Sequence, residues 1–259
     1  MVPASPNVGA RASQGRVALT CRNGVRAIEP HASGIHRRQF LALGASLAAA
    51  AVAPDAGAEP TPIIYLAPLG DSLAEQDVDF VSRALRAFYA VEVRKLQRSA
   101  LPASAYYAKR KRYRAERLLA FLSARVPSDA QRILGLTSAD ISTTKPPHQD
   151  WGILGLATLD GKSCVVSSFR CKRLAQSAEH ARIRYGKTCV HEIGHTYGLP
   201  HCRTTDCLMH DGEGSVLTTD REYDLCSARC RPRLLRAGYP LSDSPDVPWP
   251  APKAAERGR

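Results

Sequence analysis

The chain has 259 residues, 44% of them hydrophobic and 23% charged, which excludes a wholly disordered or fibrous polymer and leaves enough apolar material for one sizeable core. Its formal charge of +12 favours anionic partners of any kind and says little about fold. Residues 1–58 contain six arginines against Glu29 and Asp55, so the remainder still carries about +8.

In chain order, the first feature is Arg37-Arg38, directly before Phe40-Leu41 and an apolar run that ends near Ala53. That run is about fourteen residues, too short to cross a hydrocarbon core of roughly 30 Å as a helix. Small residues then suit cleavage after Ala53 or Ala58. Residues 1–58 are therefore expected to be a secretory signal and leader of the twin-arginine type. This predicts export to the periplasm or beyond and no membrane span in the mature protein; a cytoplasmic chain with an Ala-rich leader is the alternative. Residues 59–239 are expected to form one domain, and the Pro-rich stretch 240–259 a disordered tail.

Within the domain, the apolar run at 61–70 predicts a buried first strand. Residues 74–90 carry apolar side chains at helical spacing behind an acidic first turn, so a helix is expected there. Residues 91–97 alternate like a strand, and 113–126 predict a second helix closed by Pro127. Apolar strands are expected at 132–141 and 151–159, then a strand at 162–170 after an Asp160-Gly161 hairpin turn. Helices and strands alternate early, and consecutive strands precede a helix rich in histidine. The fold class expected is α/β, one domain with a mixed sheet.

The stretch His191-Glu-Ile-Gly-His-Thr-Tyr-Gly-Leu-Pro-His-Cys202 holds three of the chain's eight histidines. On a helix, residues four apart share a face, so His191 and His195 can offer imidazoles to one ion. Glu192, rotated by about 100°, is poorly placed as a ligand but can reach a water held on the metal. Gly198 tolerates the positive φ that ends a helix, Pro200 discourages its continuation, and the reversal can bring His201 in as third ligand. Two neutral nitrogens, then a third, with a carboxylate as general base, are what zinc-dependent hydrolysis needs.

Seven of the eight cysteines lie from Cys164 onward. Cys202, Cys207, Cys226 and Cys230 can form a closed tetrahedral thiolate site, which would be structural because no position remains for substrate. Two disulfides are the competing reading, and the compartment bears on which is made.

At this point the chain resembles the archaemetzincins, a branch of the metzincin zinc peptidases whose signature is HExxHxxGxxHCx4CxM followed, seventeen residues on, by CxxC. His191, Glu192, His195, Gly198, His201, Cys202, Cys207 and Met209 match every fixed position of its first part. The second part departs: sixteen residues separate Met209 from Cys226, and the last pair is CxxxC, as if Cys226 had moved one place earlier while Cys230 kept its register. The resemblance implies two Zn2+ per chain. The catalytic zinc would sit on His191, His195 and His201 with Glu192 as base, and the structural zinc on Cys202, Cys207, Cys226 and Cys230. It implies Met209 as a packed floor beneath the catalytic site, a compact α/β domain with a mixed sheet above the active helix, and aminopeptidase-type activity on short peptides. The expected partner is a peptide or protein substrate, with no specific nucleic acid; a monomer is expected.

Other features are read more plainly. Cys189 faces away from the histidines and is expected to be a core thiol, Cys164 and Cys171 flank a strand and are close enough in sequence for a disulfide, and the basic run 109–114 is expected to be a solvated helix face. Tyr223 and His210 are downstream candidates for holding the oxyanion. Two other functions remain open to the same residues: a zinc-stabilised binding module that uses its basic surface without catalysis, and a non-peptide amidase.

Overall fold

Ile63–Leu69 is an almost continuous apolar run and forms β1, buried over its last four residues, as expected for a strand covered on both faces. The computed structural model describes residues 60–243 and 246–251; the signal and leader expected over 1–58 lie outside the described residues. Helix α1 (Glu75–Phe88) follows, with Glu75 and Asp77 in its first turn and Val78, Val81, Ala84, Leu85 and Phe88 buried. Its three-and-four spacing turns one face to the core. Strand β2 (Glu92–Lys95) then pairs parallel with β1.

The larger sheet has five strands in the order β2-β1-β5-β9-β8, with β5 (Ala130–Thr137), β8 (Gly155–Ala157) and β9 (Ser163–Ser167). Strands β1, β2, β5 and β9 run parallel, and β8 pairs antiparallel with β9 through the expected Asp160-Gly161 turn. Gly161 N–H donates to Thr158 O at 3.0 Å to close that turn. Among the described residues β8 pairs only with β9, so its outer edge is free.

Side chains alternate across this sheet and build two cores. Ile64, Leu66, Leu134, Leu136, Cys164 and Val166 face a cluster shared with α1 and with α3 (Ala178–Thr196). Leu69, Ile133 and Val165 face the opposite cluster, closed by Leu118 and Leu122 of α2 (Ala115–Ser123). Helices thus cover both faces of one mixed sheet, the α/β class expected. A short last helix, α4 (Cys230–Arg236), ends the region.

A second sheet of four short strands, in the order β3-β4-β6-β7, stands apart from the one mixed sheet expected. It comprises β3 (Tyr106–Tyr107), β4 (Arg112–Arg114), β6 (Ile141–Lys145) and β7 (His148–Ile153). The strand expected over 132–141 therefore breaks after Thr137, whose hydroxyl accepts the Ala139 N–H at 3.2 Å, and Ile141 restarts the chain in the other sheet. The strand expected over 151–159 divides likewise between β7 and β8.

The basic run 109–114 is not a helix face. Lys109 and Arg110 lie in a short 3-10 turn, Lys111 is left-handed at φ 52°, and Arg112 and Arg114 belong to β4. Arg112 is paired with Asp140 and Asp150, each at 3.1 Å, which neutralises part of the charge expected to be solvated. Cys164 and Cys171 are free and fully buried, so no disulfide joins them.

Among the described residues no helix is long and apolar enough to cross a membrane. The stretch after Pro240, expected to be disordered, packs on the domain where it is described. Trp249 is buried, stacks on Phe88 with ring centroids 5.4 Å apart, and donates its indole N–H to Tyr223 O at 3.2 Å. Ser242 N–H donates to Phe88 O at 3.0 Å. One large aromatic side chain outweighs the polar composition around it. Trp249→Ala is expected to lower unfolding stability by about 3 kcal/mol in urea titrations; a change below about 0.5 kcal/mol would show that this segment does not contribute.

Candidate metal centre

Helix α3 starts on a proper cap, since Ser177 Oγ accepts the His180 N–H at 3.0 Å. It runs nineteen residues, long enough to carry His191 and His195 on one face after a buried middle stretch from Arg184 to Val190. Its end is set by glycine. Gly198 has φ +79°, its N–H donates to His195 O at 2.9 Å, and the Leu199 N–H reaches Gly194 O at 3.0 Å. These two bonds make a Schellman reversal, which an L side chain would strain. Arg132 of β5 supports the same end: its guanidinium donates to Thr196 Oγ1 at 3.1 Å and to Thr196 O at 3.2 Å, a cation where the helix carbonyls concentrate negative potential.

The reversal delivers His201. One nitrogen each of His191, His195 and His201 lies within 4.8 Å of the others, and the ring centroids are 4.6, 4.8 and 5.4 Å apart. His191 Nδ1–H donates to Leu208 O at 2.5 Å and His195 Nδ1–H to Leu199 O at 2.6 Å. Those bonds fix ring orientation and leave each Nε2 as the free nitrogen. Burial, with the neighbouring imidazole adding to it, pushes His191 down to about 3, and burial pushes His195 down to about 4. Both rings are neutral at ordinary pH, the form that ligates metal. His201 is more exposed and lies 3.3 Å through Nδ1 from Asp211 Oδ2, a carboxylate that the sequence motif does not contain.

Glu192 is turned to a different side, as its place on the helix dictates. It is 6% exposed, and burial pushes its carboxyl up to about 8. It lies against Gly155 of β8: a Cβ built there would stand 2.6 Å from Glu192 Oε1. Glycine at this point of the edge strand is what lets the carboxylate occupy the cleft. The cleft is a cavity of about 500 Å³ lined by all three histidines, Glu192 and β8. His210 also lines it, whereas Tyr223 does not.

The four cysteines converge beside this centre. Their sulfurs lie within 4.8 Å of one another, with Cys202 to Cys226 and Cys207 to Cys230 both at 3.7 Å. Four sulfurs about 2.3 Å from one zinc have mutual distances of about 3.8 Å, whereas a disulfide needs about 2.05 Å. The set therefore fits a thiolate cage. Contact with the Cys230 sulfur and the Cys226 N–H pulls the Cys207 thiol below its ordinary range. The departure of the last pair is accommodated locally: Cys230 opens α4, and its N–H points at the Cys226 sulfur at 3.4 Å. The loop between the two centres is tied by the Cys202 N–H to Met209 O at 2.6 Å. Met209 is fully buried, and a Cβ at Gly194 would stand 2.5 Å from its sulfur, so Met209 packs directly under the histidine helix.

A helix carrying His-Glu-x-x-His, a glycine reversal to a third histidine and a methionine beneath them define the class of zinc metallopeptidases. The family follows from comparison: the model of Peptidase family M54 matches residues 70–236, and the chain belongs to that family. The archaemetzincin of Haloquadratum walsbyi is 31% identical over 170 residues, 63% of this chain and 91% of its own. That of Methanopyrus kandleri is 34% identical over 169 residues, 65% and 90% of the two chains. The crystal structure of the Methanopyrus kandleri archaemetzincin matches with a TM-score of 0.59 at 31% identity, covering 68% of this chain and 94% of that one. The Archaeoglobus fulgidus archaemetzincin, crystallised with malonate, gives a TM-score of 0.55 at 30% identity, covering 66% and 99%.

Metal-free protein offers a direct check on the electrostatics. Nitrogen NMR is expected to show the rings of His191 and His195 still neutral at pH 5, because a lowered pKa preserves the neutral form to more acidic solution. Protonation midpoints above 6 for both would contradict the burial described.

Proposed function

We propose that the chain is a peptidase with two zinc ions. His191, His195 and His201 would hold the catalytic one, and Cys202, Cys207, Cys226 and Cys230 the structural one. The observation that carries this reading is the convergence of three imidazoles, each with Nδ1 turned to a carbonyl or carboxylate, on a cavity that also receives the Glu192 carboxyl.

Zinc bound there supplies Lewis acidity, polarising a carbonyl oxygen and making a water acidic enough to ionise near neutral pH. The protein contributes the rest. Glu192 takes a proton from the attacking water and returns it to the departing amine. Burial pushes its carboxyl up, and a cation held by the imidazoles would favour the carboxylate form. Asp211 holds the His201 ring, which is otherwise the most exposed of the three. The free edge of β8 offers backbone groups to an extended peptide, which would add as a further strand above Glu192. The reading extends to aminopeptidase-like action on short peptides, which the sequence resemblance implies.

Glu192→Gln is expected to lower peptide hydrolysis by about two to four orders of magnitude while two zinc ions per chain remain by elemental analysis; undiminished turnover would end the assignment. Asp211→Asn is expected to weaken zinc at the histidine site by about 10- to 100-fold, measured by chelator competition, while the cysteine-bound zinc resists the chelator as before. Equal affinity in parent and variant would remove Asp211 from the site.

A further inference from the structure

The cavity beside the histidines extends along α3 past the reacting centre. Thr188, one helical turn before His191, lines it together with Thr219 and Glu222. Glu222 is held in place through its backbone. Lys187 of α3 is buried and donates from Nζ to Glu222 O at 2.6 Å and to Thr219 O at 2.9 Å. One turn away, Arg184 is fixed to Asp220 by two bonds of 2.6 Å. The segment 219–222 is therefore stapled to the same helix that carries the histidines.

The Glu222 side chain is different. The residue is only 4% exposed, yet its carboxyl accepts no hydrogen bond and makes no ion pair with any described residue. Lys187, the cation that acts on it, gives two of its three N–H donors to the carbonyls of Thr219 and Glu222. Burial pushes the carboxyl up to about 8, opposed by Lys187 and reinforced by Cys207 and Asp220. Neither of its oxygens is among the fully enclosed side-chain atoms that lack a partner, so the carboxyl is open to the cavity it lines. That cavity reaches the reacting centre. Arg173 lines the same cavity but is exposed, where water screens it.

We propose that Glu222 is a specificity-determining residue whose carboxylate receives an organic cation of the peptide substrate. That cation is either the ammonium of a free N-terminus or the ammonium or guanidinium of a lysine or arginine beside the bond cut. The inference rests on the peptidase reading above and deepens it. A cation entering the cavity would give Glu222 its missing partner, and a neutral side chain of the same size would leave it unpaired; sites of this kind discriminate strongly against the analogue that lacks the matching group.

The test compares zinc-loaded parent enzyme and Glu222→Gln on matched peptides: free against N-acetylated amino termini, and lysine or arginine against norleucine beside the cleaved bond. In the parent, one of these arms is expected to favour the cationic peptide by about tenfold or more in kcat/KM, and the arm that responds names the source of the cation. In Glu222→Gln that ratio is expected to fall to near one, and Glu222→Asp should recover part of it. A ratio near one in both arms of the parent, or a cationic preference that survives Glu222→Gln, overturns the proposal. Calorimetric binding of the same peptides to Glu192→Gln, with and without Glu222→Gln, supplies a second readout that needs no turnover. Should the parent cleave none of the peptides, the peptidase reading fails. The binding arm still decides Glu222: cation-dependent affinity abolished by Glu222→Gln supports the proposal, and affinity indifferent to that change refutes it.

Discussion

One backbone reversal governs the active region. With φ at +79°, Gly198 ends α3 within a single residue and sends the chain back past its own last turn. The two bonds from Gly198 N–H and Leu199 N–H to His195 O and Gly194 O tie the reversal to the helix that carries the first two histidines. A helix continued by even one turn would carry position 201 away from them. Space around the bend is also claimed: Asp160, at the tip of the β8–β9 hairpin, would stand about 3.5 Å from a Cβ at Gly198, and its N–H donates to His195 O. The hairpin that presents the edge strand and the bend that presents His201 are thus locked to the same carbonyl.

The two candidate metal centres are mechanically joined. Cys202 follows His201 directly, and the loop from Cys202 to Met209 closes on itself before supplying the Leu208 carbonyl that orients His191. A cation on the four sulfurs would fix this loop, and with it the third histidine and the floor formed by Met209. On the other side, Arg184 and Lys187 of α3 hold residues 219–222 against the cavity. One helix therefore serves as the common support for His191, His195, Glu192 and the far wall of the cleft, and its burial among Cys164, Val166 and the residues of α1 sets how rigid that support is.

Much of this was legible in the residues. The i, i+4 histidines, the glycine two residues beyond the helix end and the paired cysteines state their geometry through spacing, because helix period and turn chemistry are local properties. The long apolar strands and amphipathic helices were equally readable. What escaped depends on contacts between distant segments. Strands of two or three residues such as β3 and β4 carry no periodicity to detect, and the break at Thr137 replaces one apparent strand by two. Asp211 and Glu222 become meaningful only when a loop folds back on α3. Trp249 lies in a Pro-rich stretch whose composition argues for disorder, and a single ring packed on Phe88 overrides that composition.

The central claim is that three imidazoles share one cation beside, and separate from, a thiolate cage. X-ray absorption at the zinc edge of the purified protein measures this most directly. Two zinc ions per chain are expected: about four sulfurs near 2.3 Å from one, and about three nitrogens near 2.0–2.1 Å from the other, with the outer scattering of imidazole. A sulfur shell without nitrogen, or protein that retains no zinc at all, would contradict it.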